Sequence, residues 1–464
     1  MIKKMEKIFK LKENGTCFRT EIIGGLTSFV TVAYALLVIP NILKMGGMNA
    51  AGLKGDAAAA LSITTDPVVA SAFASTCLAA AIGTFIMGLF ANLPFVLAPG
   101  IGLTAFFSYN VCLKLGYSWQ QGLAAVLISG IIFIVITLTS IREKIIECLP
   151  HNLKLAITAG IGLFVALIGL KSGGIVVANP STLVSFGDFT NPSTVLTLIG
   201  IIIVSVLMAR NVKGAMLIGI LITTIIGIPM GVTKLVGVKF FSAPTFGQTF
   251  FAFDFKGLVN HNGTGIAGAI LSILMVVITL SLVDLFDTIG TLVGTAQKSG
   301  MVDEKGNVRR LRKALTSDAV ATTIGGMLGT VTLATVVESS AGISEGARTG
   351  LSNVVVGIMF LISLFFSGIV GVIPSSATAP ALIIVGALML TTVKEIDFSD
   401  MTETIPVFFT ISMMPFSYSI ANGIAAGLIT YPVIKIFTGK RKEVHPLMYV
   451  MALLFILRFI LMPD

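Results

Sequence analysis

Charge is what this chain has least of. Only 11% of its 464 residues are Asp, Glu, Lys or Arg, against roughly 25% in an average soluble domain. That is too little to cover an apolar core with a polar surface, so a soluble globule is excluded. Histidine is nearly as scarce. The three, His151, His261 and His445, fall in connecting segments, which argues against a Ser-His-Asp triad. The four cysteines, Cys17, Cys77, Cys112 and Cys148, have neither metal-ligand nor paired spacing, so a zinc site and a disulfide framework are not expected. No glycine-rich stretch carries the lysine of a phosphate-binding loop, which disfavours ATP-driven transport. No Gly-x-Gly-Asp occurs and Asp284 and Asp287 share one helix, which disfavours an intramembrane aspartyl protease.

Long uncharged runs take the place of charge. The chain is 55% hydrophobic, and eight runs (Ile22–Leu43, Pro67–Leu113, Leu115–Ile141, Phe189–Ala209, Gly214–Thr233, Asn262–Val283, Thr349–Val393 and Thr404–Ile434) approach or exceed the ~20 residues that cross a bilayer as a helix. The longest must fold back and cross twice. The fold class is therefore an all-α polytopic membrane protein, with the lipid bilayer as its first partner.

A net charge of +9 does not make this a nucleic-acid binder, because the cations are not gathered on one soluble face. They cluster at Lys3–Lys12 with Arg19, at Arg142/Lys144/Lys154, at Arg210/Lys213, at Lys298–Lys313 and at Lys435–Lys442. Counting spans from a cytoplasmic N-terminus puts all five clusters inside, as the positive-inside rule asks. The first apolar run follows a long Lys-rich segment and lacks a small-x-small cleavage site, so it reads as a permanent span.

Seven spans fit before residue 235, at about 22–43, 67–90, 95–114, 121–141, 153–172, 193–209 and 213–233. After an extracellular linker, 234–263, a similar set follows at about 264–292, 314–331, 337–348, 351–373, 378–393 and 403–436, with a last apolar stretch at 446–461. An odd number of spans followed by a like set makes two antiparallel halves, the inverted-repeat plan of many transporters. If 404–434 crosses twice, Lys435–Lys442 stays inside, and this reading is preferred over a single crossing.

The third span of each half is broken. The first reads "NLPFVLAPGIGLTAFF" (Asn92–Phe107) and the second "VESSAGISEGARTG" (Val337–Gly350). Proline and glycine in a helix interior cost roughly 3 and 1 kcal/mol relative to alanine. Irregular backbone at membrane depth is tolerated only where it is buried in protein or lines a cavity. Interrupted segments at matching places in two halves point to a transporter's binding site. Glu338 joins an intramembrane acid to such a break. Asp284 and Asp287 end the 264–292 run three residues apart, on one helix face. Asp284 is read either as a cavity-facing acid or as a residue at the cytoplasmic interface before Lys298, and Asp287 either as a substrate contact or as a gating group. Glu345 is expected to pair with Arg348.

At this point the residues resemble a known family. "RTEIIGGLTSFVTVAYALLVIPNIL" (19–43), "LAPGIGLTAFF" (97–107), "SLVDLFDTIGTLVG" (281–294), "ALTSDAVATTIGGMLGT" (314–330), "VVESSAGISEGARTGLSNVVVG" (336–357) and "IPSSATAPALIIVGALM" (373–389) are similar to the AzgA-type purine permeases of the nucleobase–ascorbate transporter superfamily. The resemblance implies fourteen spans as two inverted repeats of seven. It divides the chain into a cytoplasmic N-terminus (1–21), a core domain (22–141 and 264–373), a gate domain (153–233 and 374–464, the latter with the C-terminus) and the linker. It implies secondary active uptake of hypoxanthine, adenine or guanine across the cytoplasmic membrane, with protons as the driving ion, no cofactor and no catalysis. A homodimer is one assembly it allows. The substrate residues carried over are Asp284, Glu338, the backbone of Ser339, Ser340 and Ala341, and Pro99, Gly102 and Thr104 beside Ala98 and Gly100. Asp287 and Glu338 carry coupling or gating. The family has asparagine where this chain has Thr104, which loosens any inference about the preferred purine. A uracil/xanthine-type or other small-solute carrier of the same fold is the alternative. Phe29, Tyr34, Phe106 and Phe107 offer stacking surface, although packing is the commoner use of an aromatic in an apolar span.

Overall fold

Helix starts are set by short polar punctuation between apolar runs. In the computed structural model, Asp66 caps Pro67–Ile86 by accepting from the Val68 and Val69 amides. Ser118 and Gln121 form a capping box on Trp119–Leu138. Asn191 precedes Pro192 at the start of Pro192–Ala209, and Thr349, Asp400 and Ser419 cap the later helices. Each cap satisfies amide donors that a helix start leaves open. The structure describes residues 2–58, 61, 63–139, 148–235, 241–259, 274, 276–278, 280–281, 283–285, 288, 291–292, 296, 301 and 310–461. Among these, eight helices are long and apolar enough to cross a membrane: Phe18–Met45, Pro67–Ala91, Trp119–Leu138, His151–Ser172, Pro192–Ala209, Gly350–Val370, Ser375–Glu395 and Ile420–Phe437. Shorter apolar helices occur at Ala215–Gly227, Val276–Leu285 and Pro446–Leu457.

The helices assemble in two packing groups. In one, Leu311–Leu328 packs on Trp119–Leu138 and Pro67–Ile86, and Gly350–Ser363 packs on Phe18–Val32 and Pro67–Ile86. In the other, Ser375–Leu390 packs on His151–Ser172, Pro192–Ala209 and Ala215–Gly227, while Met401–Phe416 packs on His151–Ser172 and Ile420–Phe437. Apolar area drives little association between helices already in lipid, so close approach through small residues matters more. A Cβ on Gly350 would sit 1.8 Å from the Gly88 carbonyl oxygen, and one on Gly386 would sit 2.3 Å from that of Gly162. Each group is thus held by backbones in direct contact.

Parts of three basic segments bond to neighbouring helix ends. Arg310 donates to the carbonyls of Ala91 and Asn92, Arg312 to that of Leu138, and Asn92 to that of Phe9. Lys213 pairs with Glu345, and Thr16 donates to the Gly346 carbonyl.

Some expectations hold and others change in detail. The 404–434 run is two helices, Met401–Phe416 and Ile420–Phe437, turned back on each other at Ser417–Ser419, the arrangement that two crossings need. Their outer ends are joined by Lys435, which is not a solvated cation. It is 2% exposed and pairs with Glu403 at 2.9 Å and Glu443 at 2.7 Å, because a buried ammonium needs opposite charge beside it. Glu345 pairs with Lys213 instead of Arg348; the Arg348 guanidinium donates to the Ile343 and Ala347 carbonyls at the end of the neighbouring short helix. Among the described residues four short strands appear that were not expected: β1 (Leu97–Pro99), within the first broken span, and β2 (Val176–Asn179), β3 (Leu183–Phe186) and β4 (Leu333–Thr335), in segments between expected spans.

Candidate functional site

The two broken spans meet as crossing strands. β1 and β4 pair antiparallel, with Leu97 opposite Thr335, Ala98 opposite Ala334 and Pro99 opposite Leu333. One more bond, from the Val336 amide to the Val96 carbonyl at 3.1 Å, extends the ladder. Each strand leads into a short helix, the first after Gly100 alone and the second after Val336, Val337 and Glu338. Gly100 precedes Ile101–Ala105, which continues as a wider helix through Lys114, and Glu338 precedes Ser339–Ser344. The N-termini of two half-helices are therefore set beside one ladder, from opposite halves of the chain. The first turn of a helix leaves amide donors without intrahelical acceptors and carries the positive end of its dipole. Proline and glycine end the first strand. The second strand was not expected from the sequence, although its β-branched run "VTLATVV" (331–337) favours extended backbone.

Glu338 is half-buried. Its carboxylate does not cap its own helix and instead accepts the Tyr34 hydroxyl at 2.5 Å. Ser339 is a structural pin: its hydroxyl donates to the Val336 carbonyl at 2.8 Å and accepts the Val96 amide at 2.9 Å. The amides of Ser339, Ser340 and Ala341 donate to the carbonyls of Val336, Val337 and Glu338, each three residues back. Ser340 and Ala341 stay half-buried.

In the opposite half, Thr104 is fully buried and its hydroxyl donates to the Gly100 carbonyl at 2.8 Å. Gly102 faces the other packing group: a Cβ there would lie 2.8 Å from Ile161 Cγ2. Pro99 sits inside the ladder. Of the aromatics, Phe107 packs over Gly122 and Phe29 stacks edge-on against Phe360 at 5.6 Å, so both rings serve packing.

Asp284 is 1% exposed and lies behind β4. Its Oδ2 is 3.5 Å from Thr322 Oγ1, whose single proton goes to the closer Leu333 carbonyl at 2.8 Å. Asp284 is thus buried within the protein, beside the threonine that bonds to the strand ladder. Asp287 lies outside the described residues.

Three polar residues escaped the sequence reading. Asp318 is fully buried and accepts the Thr288 hydroxyl at 2.9 Å; as an acid inside an apolar span it carried the usual signal, masked by its closeness to Lys313. Glu21 is also fully buried: Oε1 accepts the Arg348 and Thr349 amides at 2.8 and 3.1 Å, and Oε2 accepts the Ser352 amide at 3.1 Å. Asn353 donates to the Leu93 and Phe95 carbonyls at 3.0 and 2.7 Å, holding the approach to β1. Nothing in the sequence announces the last two roles, because the partners lie far away along the chain.

Comparison with known proteins agrees with this architecture. The fold resembles that of the transmembrane domain of a cyanobacterium bicarbonate transporter, BicA, with a TM-score of 0.57 at 15% identity, covering 90% of this chain and 96% of that one. At that identity the likeness concerns the fold alone. The guanine/hypoxanthine permease PbuG of Bacillus subtilis is 42% identical over 460 residues, 98% of this chain and 99% of its own. The adenine permease AdeP of Escherichia coli is 41% identical over 457 residues, 98% of this chain and 96% of its own. Residues 19–426 match the Permease family Xan_ur_permease. This chain, with its crossed strands and paired half-helices, belongs to that family: it is a multi-pass membrane permease, a transporter and not an enzyme.

Proposed function

We propose that this permease takes up the purine nucleobases hypoxanthine, adenine and guanine across the cytoplasmic membrane, by proton symport with alternating access. The observation that carries the reading is the placement of Glu338 at the head of one half-helix, across a two-strand ladder from the head of another. A purine is flat, apolar on its faces and rimmed by N–H donors and ring acceptors. A carboxylate accepts from the donor edge, while half-helix N-termini favour the electron-rich acceptors. The names of PbuG and AdeP, at 42% and 41% identity, support the substrate class.

In this reading Glu338 and Asp284 hold the base, with Ser339, Ser340, Ala341, Pro99, Gly102 and Thr104 shaping the site. Asp287 and Glu338 carry coupling or gating. The first packing group is the core domain (22–141 and 264–373) and the second the gate domain (153–233 and 374–464). The domains rock about the contact of Gly102 with Ile161, and the full topology is fourteen spans with a cytoplasmic N-terminus. A carboxylate-lined site repels anions, so substrate chemistry departs from that of the bicarbonate transporter sharing the fold.

The test is uptake of radiolabelled hypoxanthine by cells expressing the chain, in competition with unlabelled adenine, guanine, xanthine and uracil. Adenine and guanine compete in the expected outcome; a profile dominated by uracil or xanthine overturns it. Asp284→Ala is expected to abolish uptake while membrane expression persists.

A further inference from the structure

We propose that the Tyr34 hydroxyl determines purine specificity by positioning the Glu338 carboxylate. The proposal rests on the reading that Glu338 meets the substrate, and it assigns to Tyr34 a role for its hydroxyl instead of its ring.

The geometry begins with Pro40. A proline within a helix removes one hydrogen bond and crowds the carbonyl four residues back, here that of Leu36. Just before that point, at Ala33–Tyr34, the first span is interrupted, and the Leu36 and Leu37 amides bond three residues back instead of four. Tyr34 lies at this irregularity, 2% exposed, and its hydroxyl reaches Glu338 Oε1 at 2.5 Å. Bonds of this length between a hydroxyl and a carboxylate belong to the strong, charge-assisted class.

The backbone beneath Glu338 is fixed independently, because Ser339 is bonded to both strands. Backbone and carboxylate are therefore held from two directions, one by the ladder and one by the first span. The consequence is asymmetric. Oε1 is engaged by Tyr34, and Oε2 is the oxygen presented to a ligand. A base that offers one N–H, such as hypoxanthine at its N1 position, matches that arrangement. Guanine offers two adjacent donors, its ring N1–H and its amino group, and gains most from a carboxylate with both oxygens available. Tyr34 thus biases the site toward a single-donor edge.

Tyr34→Phe keeps the ring and removes the donor. For this variant, the KM for hypoxanthine is expected to rise about tenfold with maximal rate per expressed molecule unchanged. The KM for guanine rises less, so competition profiles shift toward guanine. Superimposable KM values and competition profiles for variant and wild type overturn the proposal, as does an equal rise for both bases. If the variant does not reach the membrane, Glu338→Asp provides the second arm. It withdraws the carboxylate from Tyr34 by one methylene, and equilibrium competition binding to the purified protein must show the same shift toward guanine. Glu338→Ala separates the two ways of failing. Normal uptake by that variant removes the premise that Glu338 meets substrate. Loss of uptake in Glu338→Ala, with Tyr34→Phe unchanged from wild type, removes only the role of Tyr34.

Discussion

Thr288 donates its hydroxyl to the Asp318 carboxylate at 2.9 Å, and both residues are fully buried. Thr288 lies four residues beyond Asp284 in the sequence, and Thr322, beside Asp284, lies one helical turn beyond Asp318. The Thr288–Asp318 bond therefore ties the two segments together beside Asp284, whose Oδ2 lies 3.5 Å from a Thr322 hydroxyl that is itself bonded to the Leu333 carbonyl of β4.

Asp318→Ala leaves the Thr288 hydroxyl buried without its acceptor. A loss of about 1–3 kcal/mol is expected for such a change, measured as thermal unfolding of the solubilised protein. Hypoxanthine uptake is expected to fall about tenfold or more as the tie beside Asp284 is lost. Wild-type uptake and melting temperature in this variant would show that the pair has no part in holding the site.

Glu338→Gln keeps shape and one acceptor but cannot ionise. Gradient-driven accumulation is expected to be lost. Retained exchange of labelled against unlabelled base then marks Glu338 as the coupling group, and loss of exchange as well marks it as a substrate acceptor. Full accumulation with unchanged pH dependence excludes both roles.

Glu21 caps Gly350–Ser363 from another helix, serving three amides at once. Removing side-chain caps costs roughly 0.5–2 kcal/mol, so Glu21→Ala is expected to lower thermal stability by that order. Glu21→Gln, which retains a carbonyl acceptor, lies between alanine and wild type. Equal melting temperatures for all three proteins contradict the capping role.

Two glycine substitutions are expected to part company. At Gly350 an added methyl lies 1.8 Å from the Gly88 carbonyl oxygen, backbone that cannot yield, so Gly350→Ala is expected to fail in membrane expression. At Gly102 the near atom is the end of the Ile161 side chain. Gly102→Ala is therefore expected to express but to transport more slowly, a difference read by fluorescence-tagged expression beside uptake rate.

Cys17 is exposed, whereas Cys77, Cys112 and Cys148 are buried. The Thr20 side chain and amide hold the Cys17 thiol below the ordinary thiol range, so thiolate is present at lower pH and persists as pH rises. A membrane-impermeant maleimide is expected to label one site per native chain, abolished by Cys17→Ser. Labelling in inverted vesicles but not in intact cells agrees with a cytoplasmic N-terminus; the opposite pattern overturns it.

Composition and spacing by themselves determined that this is a polytopic helical transporter with two broken spans. The bilayer makes that much local: a long uncharged run must become a helix, and proline or glycine within it breaks that helix wherever the rest of the chain lies. Glu338 was legible for the same reason, as an acid at such a break. The crossing of β1 with β4 was not, because three-residue strands have no stability alone and exist only where another half of the chain supplies the partner. Burial of Glu21 and Asp318, the seating of Lys435 between two acids and the turn of Tyr34 toward Glu338 join residues far apart in the chain. Tertiary structure decided those, because the worth of a buried polar group depends on the partner that meets it, and here the partner stands on another helix.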